Sequence, residues 1–145
     1  MSKIEGICIS SKRREPKRSV PYASFLYGGI DGDSHRGVSE REVSMLRSED
    51  ISAAEINAGF SFPPGSLAEN LIVSGLPKDL PVGTELKIGA VSLLLIEIGK
   101  KPGEPHSYDY RGWCLLPYVG FFLKVVDEGI VRLGDEVSLE FSELS

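Results

Sequence analysis

Short apolar segments separated by glycine turns fill the second half of the chain. Residues 84–88 and 90–98 meet at Gly89 and predict a tight hairpin, and apolar residues on both faces of 90–98 indicate a central strand. Further strands are predicted at residues 121–126, 130–133 and 136–141. Short strands at this spacing, with few helices, indicate a mainly β fold, either a closed or partly open β-barrel or a rolled sheet.

The first half predicts more strands and one helix. Residues 3–10 alternate and are apolar enough for a strand with Cys8 in the core. Ser48 is a candidate N-cap for a helix over 49–58, and Gly59 stands where a C′ glycine is expected. The other strands are predicted at 22–27, 42–46 and 67–73.

Composition narrows the class of protein. A chain of 145 residues with 41% hydrophobic content suits a single domain over 1–145. Two cysteines are too few for a secreted disulfide framework, the start has no apolar signal region, and no apolar run could cross a membrane. We therefore expect a cytoplasmic protein without a membrane partner, and the net charge of −5 argues against nucleic-acid binding.

The basic charges are unevenly distributed. Five of the sixteen Lys and Arg residues lie in residues 12–18, between the first two predicted strands. A cluster of this kind can hold an anion locally, but it is more often a solvated loop.

A glycine-rich loop at residues 28–37 contains potential ligands. Its four glycines let the backbone turn tightly and approach a bound molecule. Asp33 stands two residues from His35, and a carboxylate beside an imidazole can set the tautomer of the ring. Arg36 could hold a phosphate or oxyanion with its planar fork. The alternative is a polar surface loop built from turn residues.

Residues 111–120 contain Cys114, one of the two cysteines, and the single tryptophan, Trp113. A polar loop precedes this segment and an apolar strand follows it. A cysteine at such a junction can be exposed enough to react. Cationic neighbours would stabilise its thiolate, and Arg111, Lys100 and Lys101 are near in sequence. The alternative is a small buried hydrophobe, since unpaired cysteine is among the most buried residue types.

Glu69 and Asn70 stand at the entry of the predicted strand 67–73. Two adjacent polar side chains in that place either lie on an edge or face a ligand. The residues alone favour the edge.

Four blocks in order resemble the MOSC domain, which is named for the C-terminal part of molybdenum-cofactor sulfurases. They are residues 29–35 with 41–46, residues 64–75, residues 80–89, and a tail made of Cys114, 117–126 and 132–135. The resemblance covers nearly the whole chain, which is similar to a small stand-alone member.

The resemblance implies a barrel like the β-barrel domain of pyruvate kinase, with a few short helices. It also implies the molybdenum cofactor and a Cys114 that ligates molybdenum or carries sulfur. Catalytic roles then fall to Cys114 and His35. The candidate cofactor-binding residues are Asp33, Arg36, Arg41, Glu69, Asn70, Lys100 and Arg111. On this basis we expect the glycine-rich loop and the Cys114 segment to share one face of the barrel, with Glu69 and Asn70 lining the site.

Three functions remain open. The first is a cofactor-binding or sulfur-carrier protein, whose partner is the cofactor or a sulfur donor or acceptor protein. The second is a molybdenum-dependent reductase of N-hydroxylated compounds, as in some relatives. That reductase would need an external electron donor, because the chain has no flavin or iron–sulfur motif. The third is a ligand-binding module with an inert cysteine.

Overall fold

The computed structural model describes residues 1–12, 16–99 and 109–141. In chain order the described elements are β1 (Ser2–Ile9), β2 (Arg18–Ser19), β3 (Tyr22–Leu26), β4 (Gly29–Ile30), β5 (Val43–Arg47), α1 (Ser48–Ala58), β6 (Leu71–Ser74), β7 (Glu85–Ile88), β8 (Val91–Ile98), α2 (Leu116–Val119), β9 (Phe121–Asp127), β10 (Gly129–Arg132) and β11 (Glu136–Glu140).

Within the described ranges, seven strands close into a barrel in the order β1-β11-β7-β8-β9-β5-β6, and β6 returns to β1. Closure depends on β1 and β11, where Ser2 lies opposite Val137 and Lys3 lies opposite Glu136. Among the barrel pairings only β5 and β6 run parallel. The mainly β, barrel-like fold predicted from the sequence is confirmed.

Apolar side chains from all seven strands fill the barrel, as the period-2 alternation requires. The three-stranded sheet β10-β3-β4 covers part of this core with Phe25 and Val131. Fully buried members of the core include Ile4, Ile7, Phe25, Ile30, Met45, Leu71, Leu86, Leu93, Leu95 and Leu123. Because the packed core holds the strands in place, it also sets the positions at which the connecting polar loops begin and end.

A second, smaller apolar cluster lies outside the barrel. Leu46 of β5 and Ile72 of β6 contribute to it together with Ile51 and Ala54 of α1. The chain on either side of Cys114 packs against this cluster through half-buried side chains, namely Tyr110, Trp113, Leu115, Leu116 and Val119. The outer cluster is what places the Cys114 segment on the barrel wall.

Helix α1 begins differently from the sequence prediction. Arg47 occupies the cap position in an extended conformation, and Ser48 is already the first helical residue. The prediction of Ser48 as N-cap is wrong because β5 runs into α1 without a loop, so the last strand residue fills the cap. Gly59 ends the helix as predicted, with a φ of 80°. No helix in the described part of the chain is long and apolar enough to cross a membrane.

Strand β6 is shorter than the predicted strand over 67–73. The chain before Leu71 is a turn, in which Ser66 N–H donates to the Pro63 carbonyl and Ala68 N–H donates to the Gly65 carbonyl. Ala68 has a φ of 66°, which a strand does not allow. Glu69 and Asn70 thus end a turn and do not lie in a strand.

Alanine substitutions at two glycines with similar positive φ, Gly59 and Gly65, test how closely the turn at residue 65 packs against Lys17. Gly59→Ala should lower the free energy of unfolding by about 1–2 kcal/mol, because the left-handed conformation disfavours a Cβ while nothing lies within 4 Å of it. Gly65→Ala should cost about 3 kcal/mol or more, because its Cβ would also overlap the Lys17 carbonyl group.

Urea unfolding of the two variants measures the difference. Equal losses of stability would mean that the contact between residues 17 and 65 yields easily, contrary to the packing described.

Candidate functional site

Asp33 joins the glycine-rich loop to the end of β1. Its Oδ1 accepts hydrogen bonds from the Ser10 N–H at 3.1 Å and from the Lys17 ammonium at 2.7 Å. The side chains of Lys17 and Asp33 are 1% and 0% exposed, so the ion pair is buried. Burial alone would raise the pKa of the Asp33 carboxyl, but hydrogen bonds from His35, Lys17 and Ser10 hold that pKa well below its usual range.

His35 lies on this ion pair and reaches the surface. Its backbone N–H donates to Asp33 Oδ2 at 3.3 Å. The Nδ1 atom of its imidazole lies 3.3 Å from the Lys17 Nζ. The imidazole is 42% exposed. The predicted neighbourhood of a carboxylate and an imidazole is therefore present, with a buried lysine added to it.

Arg36 is exposed beside His35, where the loop passes close to its own start. A Cβ at position 29 would lie 3.0 Å from the Arg36 Cα, and Gly29 has a φ of 144°. Glycine at this position is required by both the backbone conformation and the close approach. The loop thus holds His35 and Arg36 next to each other on a defined backbone.

Arg41 is engaged with the barrel wall. Its Nε donates to Glu97 Oε1 at 2.7 Å and its guanidinium also donates to Glu97 Oε2 at 3.1 Å. The guanidinium carbon lies 5.2 Å from the centre of the Phe122 ring. These contacts fix the entry of the loop into β5.

Glu69 is buried, and both of its oxygens have internal partners. Oε2 accepts the Gly65 N–H and Oε1 accepts the Leu67 N–H, each at 3.1 Å. Burial raises the pKa of the Glu69 carboxyl to about 7, although the backbone N–H groups and the nearby Lys17 partly oppose this. The geometry gives Glu69 a clear role in holding the turn before β6, and its role in ligand binding stays a prediction.

Asn70 joins three strands. Its Oδ1 accepts from the Ser44 N–H at 3.0 Å, and its Nδ2 donates to the Cys8 carbonyl at 3.0 Å. The side chain therefore bridges β5 and β1 at the start of β6. As for Glu69, its predicted role toward a ligand stays a prediction.

The two cysteines have different environments. Cys8 is fully buried, and this burial, with the negative charge of Glu69, raises the pKa of its thiol to about 12. Cys114 is half-buried in an irregular segment between Trp113 and helix α2. The prediction that Cys8 is a core residue is confirmed.

Arg111 occupies a strained turn three residues before Cys114. Tyr110 and Trp113 exchange both backbone hydrogen bonds, at 2.7 and 2.9 Å. The two residues between them, Arg111 and Gly112, both have positive φ, 52° and 87°, as in a type I′ hairpin turn. The Arg111 guanidinium carbon lies 4.2 Å from the centre of the Phe60 ring. The hairpin turn therefore fixes the Arg111 backbone, and the Phe60 ring holds its guanidinium close to the segment that contains Cys114.

Strand β5 links the two candidate segments. The glycine-rich loop runs into Val43, its first residue, while the Cys114 segment runs through α2 into Phe121, which lies opposite Met45. The shared face of the two segments stays a prediction. Lys100, also nominated, lies outside the described residues. In the described ranges, no group of three or more His, Cys, Asp or Glu side chains is arranged to hold a metal ion.

Sequence reasoning missed Lys17. The basic segment 12–18 was predicted to be a solvated loop, which is wrong for Lys17 because the buried carboxylate of Asp33 compensates its charge. The signal that could have indicated it is weak: Asp33, sixteen residues further along the chain, is one of two carboxylates among the loop glycines.

Several solved structures have a similar fold, among them the following three. The YuaD protein from Bacillus subtilis matches with a TM-score of 0.79 and 22% identity over 99% of this chain and 98% of that one. YiiM from Geobacillus stearothermophilus matches with a TM-score of 0.73 and 17% identity, over 100% and 78% of the two chains. YiiM from Escherichia coli matches with a TM-score of 0.65 and 16% identity, over 99% and 71%. No protein-family model and no curated protein matches the sequence.

The two thiols should react at different rates with an alkylating reagent. Cys114 is half-buried in an irregular segment, whereas Cys8 is fully buried with a raised pKa, so native protein should lose one thiol quickly and the second only on unfolding. Peptide mapping after a short exposure should find the label on Cys114. Fast labelling of Cys8, or of neither cysteine, would contradict this prediction.

Glu69 should make the stability depend on pH. Because its pKa is raised in the folded state, the folded protein binds more protons than the unfolded chain between about pH 4.5 and 7. Stability should therefore fall as pH rises through this range, by roughly 3 kcal/mol in total from this group. Glu69→Gln should remove this part of the slope in urea unfolding series, and an unchanged slope would show that the carboxyl is not its source.

Proposed function

We propose that the protein is a MOSC-type protein that binds the molybdenum cofactor, and that Cys114 ligates molybdenum or carries sulfur. The four ordered sequence blocks support the family. The closed barrel supports it further, because it is the fold that the resemblance implies. The likeness to YuaD and YiiM is one of fold.

The environment of Cys114 is the observation that carries the proposal. Of the two cysteines, only Cys114 combines partial exposure with an irregular backbone, and the outer cluster holds the segments on both sides of it. A thiolate in such a place is a soft ligand that suits a metal already bearing sulfur ligands. The same thiolate can attack the outer sulfur of a persulfide on a donor protein, which breaks the donor's S–S bond, releases the donor thiolate and leaves a persulfide on Cys114.

Some of the nominated site residues fit the molybdenum cofactor, which is an anionic group that contains a metal. Cys114 would supply the thiolate, while Arg111 and Arg36, both exposed, would supply cationic donors for its anionic parts. Asp33, Glu69 and Asn70 are occupied by internal hydrogen bonds, so in this proposal they support the surrounding loops. When bound, the group would supply a redox-active metal centre with sulfur ligands.

Molybdenum and pterin content test the proposal. Protein purified from a host that makes the cofactor should contain both in a fixed ratio, and Cys114→Ser should lose most of the molybdenum while keeping its melting temperature. Cys8→Ala is the matched control, since it removes the other thiol from the core and should keep the metal. A wild-type protein without molybdenum and pterin would refute cofactor binding. A Cys114→Ser variant that retains both would refute ligation of molybdenum by Cys114 and leave sulfur transfer as its role.

A further inference from the structure

Lys17 provides the starting point, because its ammonium is buried against three different polar groups. Nζ lies 2.7 Å from Asp33 Oδ1, 3.3 Å from His35 Nδ1 and 3.5 Å from Ser10 Oγ. A lysine ammonium has three protons to donate and no acceptor. Each of the three neighbouring atoms therefore has to act as an acceptor for the contact to be favourable.

This requirement decides the tautomer of His35. If Nδ1 accepts from the Lys17 ammonium, it carries no proton, and the proton of the neutral ring is on Nε2. The alternative places a proton on Nδ1, aimed at Asp33 Oδ2 at a distance of 3.5 Å. That arrangement would let the ring help to lower the pKa of Asp33, but it is longer than the contact with Lys17 and sets an N–H against an ammonium. In the Nε2–H form Asp33 keeps Lys17, the Ser10 N–H and the backbone N–H of His35 as donors. The shorter contact with Lys17 favours the Nε2–H form.

The outer edge of His35 is then a fixed hydrogen-bond donor. Nδ1 faces the buried ion pair, while the ring is 42% exposed, so the Nε2–H faces the surface. Asp33 does not repel an anion here, because its carboxylate is fully buried and its charge is compensated by Lys17. The exposed guanidinium of the next residue, Arg36, adds a positive charge on the same short loop.

We propose that Lys17 is a positioning residue that fixes His35 as a donor, and that His35 and Arg36 together bind a phosphate group. A neutral N–H donor and a guanidinium on consecutive residues of one loop suit the several acceptor oxygens of a phosphate. The site stands on the geometry of the loop and does not require a bound metal. It adds His35 and Lys17 to Arg36, which the function proposed above assigns to the anionic parts of the cofactor.

The tautomer can be observed directly. In protein labelled with ¹⁵N on the imidazole, His35 at pH 8 should show an unprotonated Nδ1 and a protonated Nε2 in long-range nitrogen–proton spectra. An Nδ1–H form, or fast averaging between the two forms, would overturn the role assigned to Lys17.

Two substitutions of His35 test the direction of donation. The longer amide of His35→Gln can place an N–H near the position of Nε2, whereas the shorter amide of His35→Asn reaches only the position of Nδ1. Titration of the metal-free protein with inorganic phosphate should show binding to wild type and to His35→Gln. His35→Asn should bind about tenfold more weakly, as expected for loss of one hydrogen bond to a charged group.

Phosphate that does not bind, or that binds equally to both variants, would overturn the site. The proposal concerning the cofactor is tested separately by molybdenum content, so each can fail without the other. Protein loaded with cofactor adds one distinction. If inorganic phosphate then no longer binds, the phosphate group recognised at His35 is that of the cofactor, and if it still binds, it belongs to another phosphate-bearing ligand.

The role of Lys17 is tested by a double variant that removes both charges of the ion pair. Lys17→Met alone would leave the Asp33 carboxylate buried without its cation, and we expect this variant to lose its fold. Lys17→Met with Asp33→Asn removes both charges together, and its melting temperature shows whether the barrel is kept. In the folded double variant, His35 should average between tautomers and phosphate affinity should fall about tenfold. A retained Nε2–H form with unchanged affinity would show that Lys17 only supports the fold.

Discussion

The buried ion pair between Lys17 and Asp33 holds together the segments that form one end of the barrel. It connects the end of β1, the basic segment and the glycine-rich loop. Taking two charges out of water is costly, and here the cost is offset by the short contact and by N–H groups donated to the same carboxylate. The exposed side chains of His35 and Arg36 owe their positions to this pair.

The Cys114 segment depends on a different kind of interaction. Aromatic rings hold it in place, with Phe62 lying 5.8 Å from Tyr110 and 5.9 Å from Trp113 between ring centres. These rings belong to the cluster outside the barrel. One candidate segment is thus fixed by buried charge and the other by aromatic packing, and the barrel wall provides the rigid support that they share.

Alternation and glycine position made most of the strands predictable, because these are local properties of the chain. The start of α1 was not, since Ser48 has the residue type of a cap but follows directly on a strand. Lys17 was not predictable either. A cation among other cations normally indicates solvation, and its burial depends on a carboxylate brought close by the fold. Cys114 could be nominated from its neighbours in sequence, but the aromatic rings that place its segment come from distant positions.

The pairing of residue 2 with residue 137 has a consequence for the synthesis of the chain on the ribosome. Strand β11 is the partner of both β1 and β7, so these two strands keep an open edge until nearly all of the described chain has emerged. Open edges are templates for pairing with other chains. The nascent chain is therefore open to misassembly until residues 136–140 emerge, and their arrival completes the hydrogen bonding of the barrel at once.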